Sequence, residues 1–284
     1  MLKQRVLTAV LLLPAALAAI FLLPPLGFAA VIAGVMLLAA REWGSFIQPN
    51  QPLVSFSFTL SIGALIAALG FILPIDTLWH QGQLHPLAKG ILQVGAVWWA
   101  VALGLVITYP KSQSIWRQNQ MLKAVFGQLT LIPAFVAMVV LHSFPEGKGI
   151  SGAALVLSVF LIVWGADTGA YFFGKAFGKH KMMPNVSPGK TLEGLGGGLL
   201  VCAALGVAGW HYLPNNGLAV VIAVVLITAL SSALGDLSES MFKRCAKIKD
   251  SGSLLPGHGG ILDRIDSITA AMPVFALLYL YWWI

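Results

Sequence analysis

The stretch SGAALVLSVFLIVWGADTGAYFF, residues 151–173, contains a single charged residue, Asp167. A helix needs roughly 20 mostly apolar residues to cross a hydrocarbon core of about 30 Å, so this stretch predicts a membrane-spanning helix. The whole chain has the same character, because 58% of its 284 residues are hydrophobic and only 10% are charged. Its mean hydropathy is +0.87, far above that of soluble domains. Further apolar runs lie at approximately 6–23, 26–40, 53–74, 90–108, 124–142, 195–213, 217–235 and 267–284.

These runs predict an all-α integral membrane protein with about nine transmembrane helices. Pro24-Pro25 followed by Leu26-Gly27 is a sequence typical of a turn. The first two runs are therefore expected to form a tight helical hairpin rather than one long helix. The second run is the shortest, at about 15 residues. A cleaved secretory signal is the alternative interpretation of the first run. Apolar sequence resumes directly after the prolines, which favours a retained anchor.

The Lys and Arg residues indicate the orientation. Along an alternating path of nine spans, 15 of the 17 fall on the side of the N-terminus, and only Lys89 and Lys148 fall on the other side. Because Lys and Arg concentrate in cytoplasmic loops, the N-terminus is expected in the cytoplasm and the C-terminus on the opposite side. The net charge of +7 therefore mainly reflects the orientation of the chain in the membrane. Anionic lipid headgroups are expected partners, and nucleic acid is not.

Acidic residues are distributed unevenly. Eight of the ten lie in the C-terminal half, and all of these except Glu146 are on or near the predicted cytoplasmic side. We therefore divide the chain into an N-terminal scaffold of about five helices, residues 1–142, and a catalytic half, residues 143–284, with polar cytoplasmic segments at 174–194 and 236–266. Asp167 is a candidate site residue, because carboxylates inside a membrane are costly; helix packing is the alternative. The other seven are Asp167, Glu193, Asp236, Glu239, Asp250, Asp263 and Asp266.

The first part of the segment 236–266 predicts a polar helix face. If the eighth helix continues past the membrane surface, Asp236, Ser240, Lys243 and Arg244 recur at positions that share one face. A carboxylate, a hydroxyl and two cations then point in the same direction.

The run LPGHGGILDRID, residues 255–266, predicts a turn that leads into the ninth helix. Its glycines permit close backbone approach, and a helix N-terminus presents N–H groups that favour phosphate oxygens. Asp263 and Asp266, three positions apart, would share a face of that helix.

Separate aspartates with Lys and Arg nearby, and without a Cys or His pair, suit Mg²⁺ rather than zinc. Mg²⁺ in turn suits a polyphosphate substrate. The alternative is that these charges are topology signals with ion-paired partners, such as Glu239 with Lys243 at i, i+4. That alternative does not explain four aspartates around a glycine-rich turn. His258 lies within this cluster, where it could donate to phosphate or act as an acid or base.

The other polar segment contains VSPGKTLEG, residues 186–194. Gly-Lys-Thr invites comparison with a P-loop, but the first glycine of that motif should stand at position 184, which is Pro184. Lys190 and Thr191 can still bind phosphate ahead of a membrane helix. The segment alone is weak evidence for a nucleotide site.

These polar segments resemble the motifs of phosphatidate cytidylyltransferases, also called CDP-diacylglycerol synthases. The resemblance is strong over roughly the C-terminal 130 residues and rests elsewhere on span count and topology. Besides the run from Ser240 to Asp266, it includes WGADTGAY at 164–171, SPGKT at 187–191 and GDLSES at 235–240. Within the run it includes Ser240, Lys243-Arg244, Lys249-Asp250, Gly252, Leu255-Pro256, His258-Gly259-Gly260, Asp263-Arg264 and Ile265-Asp266.

The resemblance implies that CTP and phosphatidic acid react to give CDP-diacylglycerol and pyrophosphate in a Mg²⁺-dependent step. It further implies that Asp236 and Asp263 are metal ligands, with a second cation left open, and that the enzyme is a membrane homodimer. The expected catalytic residues are Lys243, Arg244, Asp250, His258, Arg264 and Asp266. The expected substrate-binding residues are Asp167, Ser187, Lys190, Thr191, Ser240, Lys249, Gly259 and Gly260.

Three other functions compete with this interpretation. A cation-coupled transporter would also place Asp167 in a span, but it predicts acidic groups near the bilayer midplane, whereas most lie near the cytoplasmic ends. A CTP-using polyprenol kinase would transfer the γ-phosphoryl group and would not carry the complete signature. A CDP-alcohol phosphotransferase would carry an Asp-Gly and Ala-Arg pattern that is missing. The small size and the lack of an organelle-targeting segment favour a bacterial inner membrane, with the active site facing the cytoplasm.

Overall fold

A computed structural model describes residues 2–145, 150–210, 217–255, 257 and 259–282. This part of the chain is mainly helical, as predicted, and the protein is an all-α membrane protein with about nine spans. Its helices are α1 (Leu2–Leu22), α2 (Pro25–Ile47), α3 (Pro52–Ile72), α4 (Pro86–Ile107), α5 (Gln113–Trp116), α6 (Gln120–His142), α7 (Gly152–Phe177), α8 (Leu192–Trp210), α9 (Leu218–Ala246) and α10 (Leu262–Trp282).

Eight helices of this described part are long and apolar enough to cross a membrane; the apolar part of α1, Val10–Leu22, is shorter. Helix α1 ends before Pro24, and Pro25 is the first residue of α2, so the predicted break between the first two spans is confirmed. Proline suits that position because the first helical N–H has no partner within the helix.

The predicted length of the second span was wrong. The apolar run 26–40 suggested about 15 residues, but α2 contains 23 residues and continues to Ile47. Arg41 and Glu42 directly follow that apolar run and lie within α2. Glu42 is buried at 8% exposure, and its carboxylate has partners within the protein.

Two short antiparallel hairpins, which the sequence analysis did not predict, interrupt the helices. The first pairs β1 (Trp79–His80) with β2 (Gln83–Leu84) and follows a single 3₁₀ turn, Ile75–Thr77. The second pairs β3 (Lys181–Met183) with β4 (Ser187–Thr191) and joins α7 to α8. The predicted polar segment 174–194 is therefore largely ordered.

Small residues allow α7 and α8 to pack closely. A Cβ atom on Gly198 would lie 2.6 Å from the carbonyl oxygen of Ala166, and one on Gly169 would lie 2.8 Å from the carbonyl oxygen of Gly197. Lipid tails are as apolar as leucine side chains, so membrane helices gain stability mainly from such close packing.

Helices α9 and α10 approach each other closely at Gly235, where a Cβ would lie 2.4 Å from the carbonyl oxygen of Asp266. On another side of α9, the Phe242 ring packs 5.0 Å from Trp43 of α2 and 5.0 Å from Trp116 of α5. Helix α9 therefore contacts both halves of the chain at the same end of the bundle.

Candidate active site

The candidate site lies at one end of the bundle, where α7 and α9 end and α8 and α10 begin. Strand β4 leads directly into α8 at this end. Helix α9 runs unbroken to Ala246, so the predicted continuation of the eighth helix is confirmed. Helix α10 begins at Leu262, which confirms that Asp263 and Asp266 lie in its first turns.

A cavity of about 500 Å³ opens between α7, α8, α9 and β4. Its polar wall contains Asp167, Lys190, Thr191 and Asp236, four residues that the sequence analysis selected. Tyr171, Lys175 and Ser232 also line it. Most of the remaining wall is formed by small and apolar side chains. These include Ala166, Ala170, Gly194, Leu195, Gly198, Leu199, Ala229 and Ala233.

Lys190 joins the hairpin to α9. Its Nζ atom lies 2.6 Å from Oδ2 of Asp236, and the two side chains are 29% and 31% exposed. The Ser240 hydroxyl, one turn along α9, lies 3.3 Å from Oδ1 of Asp236. Both oxygens of the Asp236 carboxylate therefore face hydrogen-bond donors. The Lys190 and Asp236 side chains also line the cavity.

Lys243 joins α9 to α10. Its Nζ lies 3.0 Å from Oε2 of Glu239 and 2.7 Å from Oδ1 of Asp263. The predicted i, i+4 pair of Glu239 and Lys243 therefore exists, but Lys243 also holds a carboxylate on the neighbouring helix. The three side chains are between 3% and 13% exposed, so each charge depends on the others for compensation.

The second carboxylate oxygen of Asp263, Oδ2, is held by hydrogen bonds from the loop that precedes α10. Oδ2 accepts hydrogen bonds from Ser251 N at 2.9 Å and from Gly260 N at 2.8 Å, and the Ser251 hydroxyl lies 2.9 Å away. Backbone donors of the glycine-rich turn thus orient Asp263. Gly260 was predicted as a substrate-binding residue, and its N–H donates to this carboxylate in the structure.

Glu239 and Asp266 form a pair of carboxyl groups within hydrogen-bonding reach of each other. Among the described residues, Oε1 of Glu239 is buried and has no hydrogen-bond donor. Two interacting carboxyl groups are stabilised by a shared proton or a nearby cation. Glu239 was not among the site residues predicted from the sequence, although its position one turn after Asp236 on α9 could have indicated it.

Further contacts fix the hairpin against the helices. Nε of Arg244 donates to the carbonyl oxygen of Val186 at 3.1 Å, and Gly194 N donates to the Thr191 hydroxyl at 3.1 Å. Glu193 accepts hydrogen bonds from the backbone N–H groups of Lys179 and His180. The side chains of Arg244 and Thr191 thus stabilise this end of the bundle.

The other predicted site residues surround this centre. Ser187 begins β4, and Asp250 lies beside Gly259, which adopts a positive φ of 81°. Lys249 and Arg264 are exposed. His258, the predicted imidazole donor, lies outside the described residues.

The carboxylates can be compared with the needs of Mg²⁺. Within the described ranges, no three His, Cys, Asp or Glu side chains converge as a metal-binding group. Mg²⁺ usually takes only one or two carboxylates and completes its octahedron with water and substrate phosphates. The carboxylate oxygens of Asp236 and Asp263, and the buried Glu239 oxygen without a hydrogen-bond donor, are ligand atoms that fit that chemistry.

Comparison with known proteins identifies the kind of chemistry. A model described as the cytidylyltransferase family matches residues 3–282. The chain belongs to the cytidylyltransferase family. It is therefore a nucleotidyltransferase, and the predicted resemblance is confirmed.

Curated relatives carry a more specific name. A phosphatidate cytidylyltransferase of Haemophilus influenzae is 43% identical over 290 aligned positions, covering 99% of each chain. One of Pseudomonas aeruginosa is 43% identical over 280 positions, covering 98% of this chain and 97% of the relative. One of Staphylococcus aureus is 48% identical over 128 positions, covering 45% of this chain and 49% of the relative. Membership of an enzyme family argues against the transporter alternative.

Proposed function

We propose that this protein transfers a cytidylyl group from CTP to phosphatidic acid and releases pyrophosphate. The observation that supports this most strongly is the identity of 43% over nearly the whole chain to two proteins named phosphatidate cytidylyltransferase. The site agrees with it, because cationic and acidic side chains meet at the end of a membrane bundle, where a lipid headgroup and a soluble nucleotide can both reach.

In the proposed step, a phosphate oxygen of phosphatidic acid attacks the α-phosphorus of CTP. A new P–O bond forms, the bond from the α-phosphorus to the oxygen that bridges to the β-phosphorus breaks, and pyrophosphate leaves with that electron pair. The attacking phosphate is already an anion near neutral pH, so the step needs no strong general base. Positioning and charge stabilisation then account for most of the catalysis.

The cations of the site would neutralise the phosphates. Lys190 lines the cavity and would meet the nucleotide or the lipid phosphate, while Lys243 and Arg244 lie further along α9. Arg264, in the first turn of α10, is exposed at the same end. We further propose that Ser187, Thr191, Ser240, Lys249 and the Gly259-Gly260 turn contribute to substrate binding, and that Asp250 and His258 contribute to catalysis.

Mg²⁺ is the proposed cofactor. Asp236 and Asp263 would hold it, with Asp266, Glu239 and Asp167 nearby, and a second cation remains part of the proposal. When bound, Mg²⁺ would supply positive charge to the triphosphate. Lys190 and Lys243 compensate the two aspartates in this structure, so each lysine would change its contacts as substrate and metal enter.

The cavity wall suggests how a lipid with two acyl chains would reach the site. Leu195 and Leu199 of α8 and Ala229 and Ala233 of α9 continue the cavity away from its charged end with an apolar surface. An acyl chain could follow that surface while the headgroup remains beside Lys190. We also propose a homodimer in a bacterial inner membrane, with this end of the bundle in the cytoplasm.

The position of an isotopic label tests the transferred group. Purified protein would be supplied with phosphatidic acid and CTP labelled in either the α- or the γ-phosphate. Cytidylyl transfer sends the α-label into the lipid and the γ-label into pyrophosphate. Entry of the γ-label into lipid would contradict the proposal and indicate a lipid kinase.

A further inference from the structure

Glu42 connects the N-terminal half of the chain to the start of α10. Its Oε1 accepts a hydrogen bond from Ile261 N at 3.0 Å, and its Oε2 accepts one from Leu262 N at 2.8 Å. The side chain is 8% exposed. A buried carboxylate on α2 thus caps the first N–H groups of a helix more than 200 residues later in the chain.

This contact has a clear physical basis. The first N–H groups of a helix have no partner within the helix, and the helix dipole places partial positive charge at that end. A carboxylate satisfies both needs. Because each oxygen takes a different N–H, the contact fixes the position of the helix end as well as its distance from α2.

Glu42 also reaches Asp263 through one side chain. The Ser251 hydroxyl lies 3.1 Å from Oε2 of Glu42 and 2.9 Å from Oδ2 of Asp263. Its single proton can serve only one of these oxygens at a time. The backbone N–H of Ser251 also donates to Oδ2 of Asp263, at 2.9 Å. The serine therefore connects the two carboxylates.

Two glycines of the loop make room for Glu42. A Cβ atom on Gly252 would lie 2.4 Å from Oε1 of Glu42, and one on Gly260 would lie 2.3 Å from Oε2. Real Cβ atoms do not approach so closely. The loop at Gly252, directly after Ser251, and the turn at Gly260, before Asp263, are therefore shaped around this carboxylate.

We propose that Glu42 is a positioning residue for the cytidylyl transfer. It sets where α10 begins and thereby sets the positions of Asp263 and Asp266 relative to α9. The role in catalysis rests on the proposed function, whereas the effect on the loop and helix start does not. Neither the family assignment nor the polar motifs of the C-terminal half assigns a role to this residue.

Two substitutions of similar size separate the contributions of Glu42. Glu42→Gln keeps one acceptor and presents an NH₂ group to a donor, whereas Glu42→Leu keeps none. We expect kcat to fall about tenfold for Gln and roughly a hundredfold for Leu, since a hydrogen bond to a charged group is worth a factor of this order. The KM for CTP should change less than about threefold, because the loss concerns geometry in the transition state.

Ile62→Ala is the matched control for a general loss of stability. Ile62 is fully buried on α3, and its truncation lowers the unfolding temperature without touching the loop. The two variants are compared where their unfolding temperatures are equal. If Ile62→Ala then loses as much kcat as Glu42→Gln does, Glu42 has only a structural role and the proposal is overturned.

Hydrogen exchange supplies a measurement that does not depend on activity. In wild-type protein in detergent, the amides of Ile261 and Leu262 should exchange slowly, because Glu42 accepts from both. They should exchange at least about tenfold faster in Glu42→Leu, while Ile62→Ala leaves them protected. Unchanged protection in Glu42→Leu would contradict the proposal, even if activity were lost.

The two measurements distinguish the possible failures. If wild-type protein makes no CDP-lipid but Glu42→Leu exposes these amides, the proposed function fails while Glu42 still positions α10. If wild-type protein is active and both Glu42 variants keep its kcat, the positioning role fails and the proposed function stands.

Discussion

The ammonium group of Lys190, on β4, lies 2.6 Å from a carboxylate oxygen of Asp236, on α9. This contact joins the two polar segments 174–194 and 236–266, which are separate in the sequence. It also places a cation and an anion on the wall of the same cavity, beside Asp167. A substrate phosphate and a metal ion would compete for these two groups, so the pair is expected to matter more for turnover than for stability.

Lys190→Met should therefore reduce turnover strongly and stability little. Both side chains of the pair are about one-third exposed, and such ion pairs contribute about 0–1 kcal/mol to the free energy of unfolding. Loss of a positive charge beside a transferring phosphate should lower kcat/KM by roughly 10²-fold. Steady-state kinetics and thermal unfolding measure the two effects. Lys181→Met, an exposed cation of the same hairpin, is the control and should retain activity.

Lys243→Met should instead lower stability. It leaves Glu239 and Asp263, which are 3% and 7% exposed, without their shared cation. Removing one partner from a buried charge pair costs about 3–5 kcal/mol. A free energy of unfolding within about 1 kcal/mol of wild type would show that solvent, rather than Lys243, compensates the two carboxylates.

Glu239→Gln should leave the unfolding temperature unchanged or raise it in protein stripped of metal. The amide oxygen can keep its contact with Lys243 while the NH₂ group donates to Asp266, which relieves two facing carboxyl groups. If these groups help to bind Mg²⁺, the ion should raise the unfolding temperature of wild type more than that of the variant. An equal rise in both proteins would exclude Glu239 from the metal site.

Two neighbouring glycines of α8 should respond oppositely to alanine. A Cβ on Gly198 would lie 2.6 Å from the carbonyl oxygen of Ala166, whereas one on Gly196 meets nothing within 4 Å. Gly198→Ala should cost about 1–3 kcal/mol and narrow the cavity. Gly196→Ala should contribute about 0.5–1 kcal/mol of stability, because alanine favours the helix. Thermal unfolding of the two variants in the same detergent tests this; similar changes would contradict the packing of α7 on α8.

Much of the fold could be predicted because membrane spans are long and apolar. The polar face of α9 also followed from spacing alone, since Asp236, Ser240 and Lys243 lie on a helix that continues to Ala246. The extent of α2 could not be predicted in this way. A charged residue normally ends an apolar run, and only the folded protein provides donors that let Glu42 remain buried.

The contacts that the candidate residues make could also not be predicted from the sequence. Nothing in the sequence indicates that Lys190 meets Asp236, because that contact depends on an unpredicted hairpin between β3 and β4. Glu42 lies far from the polar segments in sequence, so its contact with Ile261 and Leu262 had no local signal. The division into a scaffold and a catalytic half stays a prediction, and Glu42 shows that the first half contributes to the shape of the site.

The most direct test is whether purified protein in detergent micelles converts phosphatidic acid and CTP, with Mg²⁺, to CDP-diacylglycerol and an equal amount of pyrophosphate. Asp263→Asn should lose this activity by roughly 10²-fold or more, while Asp76→Asn, an exposed acid at the other end of the bundle, should keep it. Folded wild-type protein that forms neither product across lipid and ion conditions would contradict the proposed function.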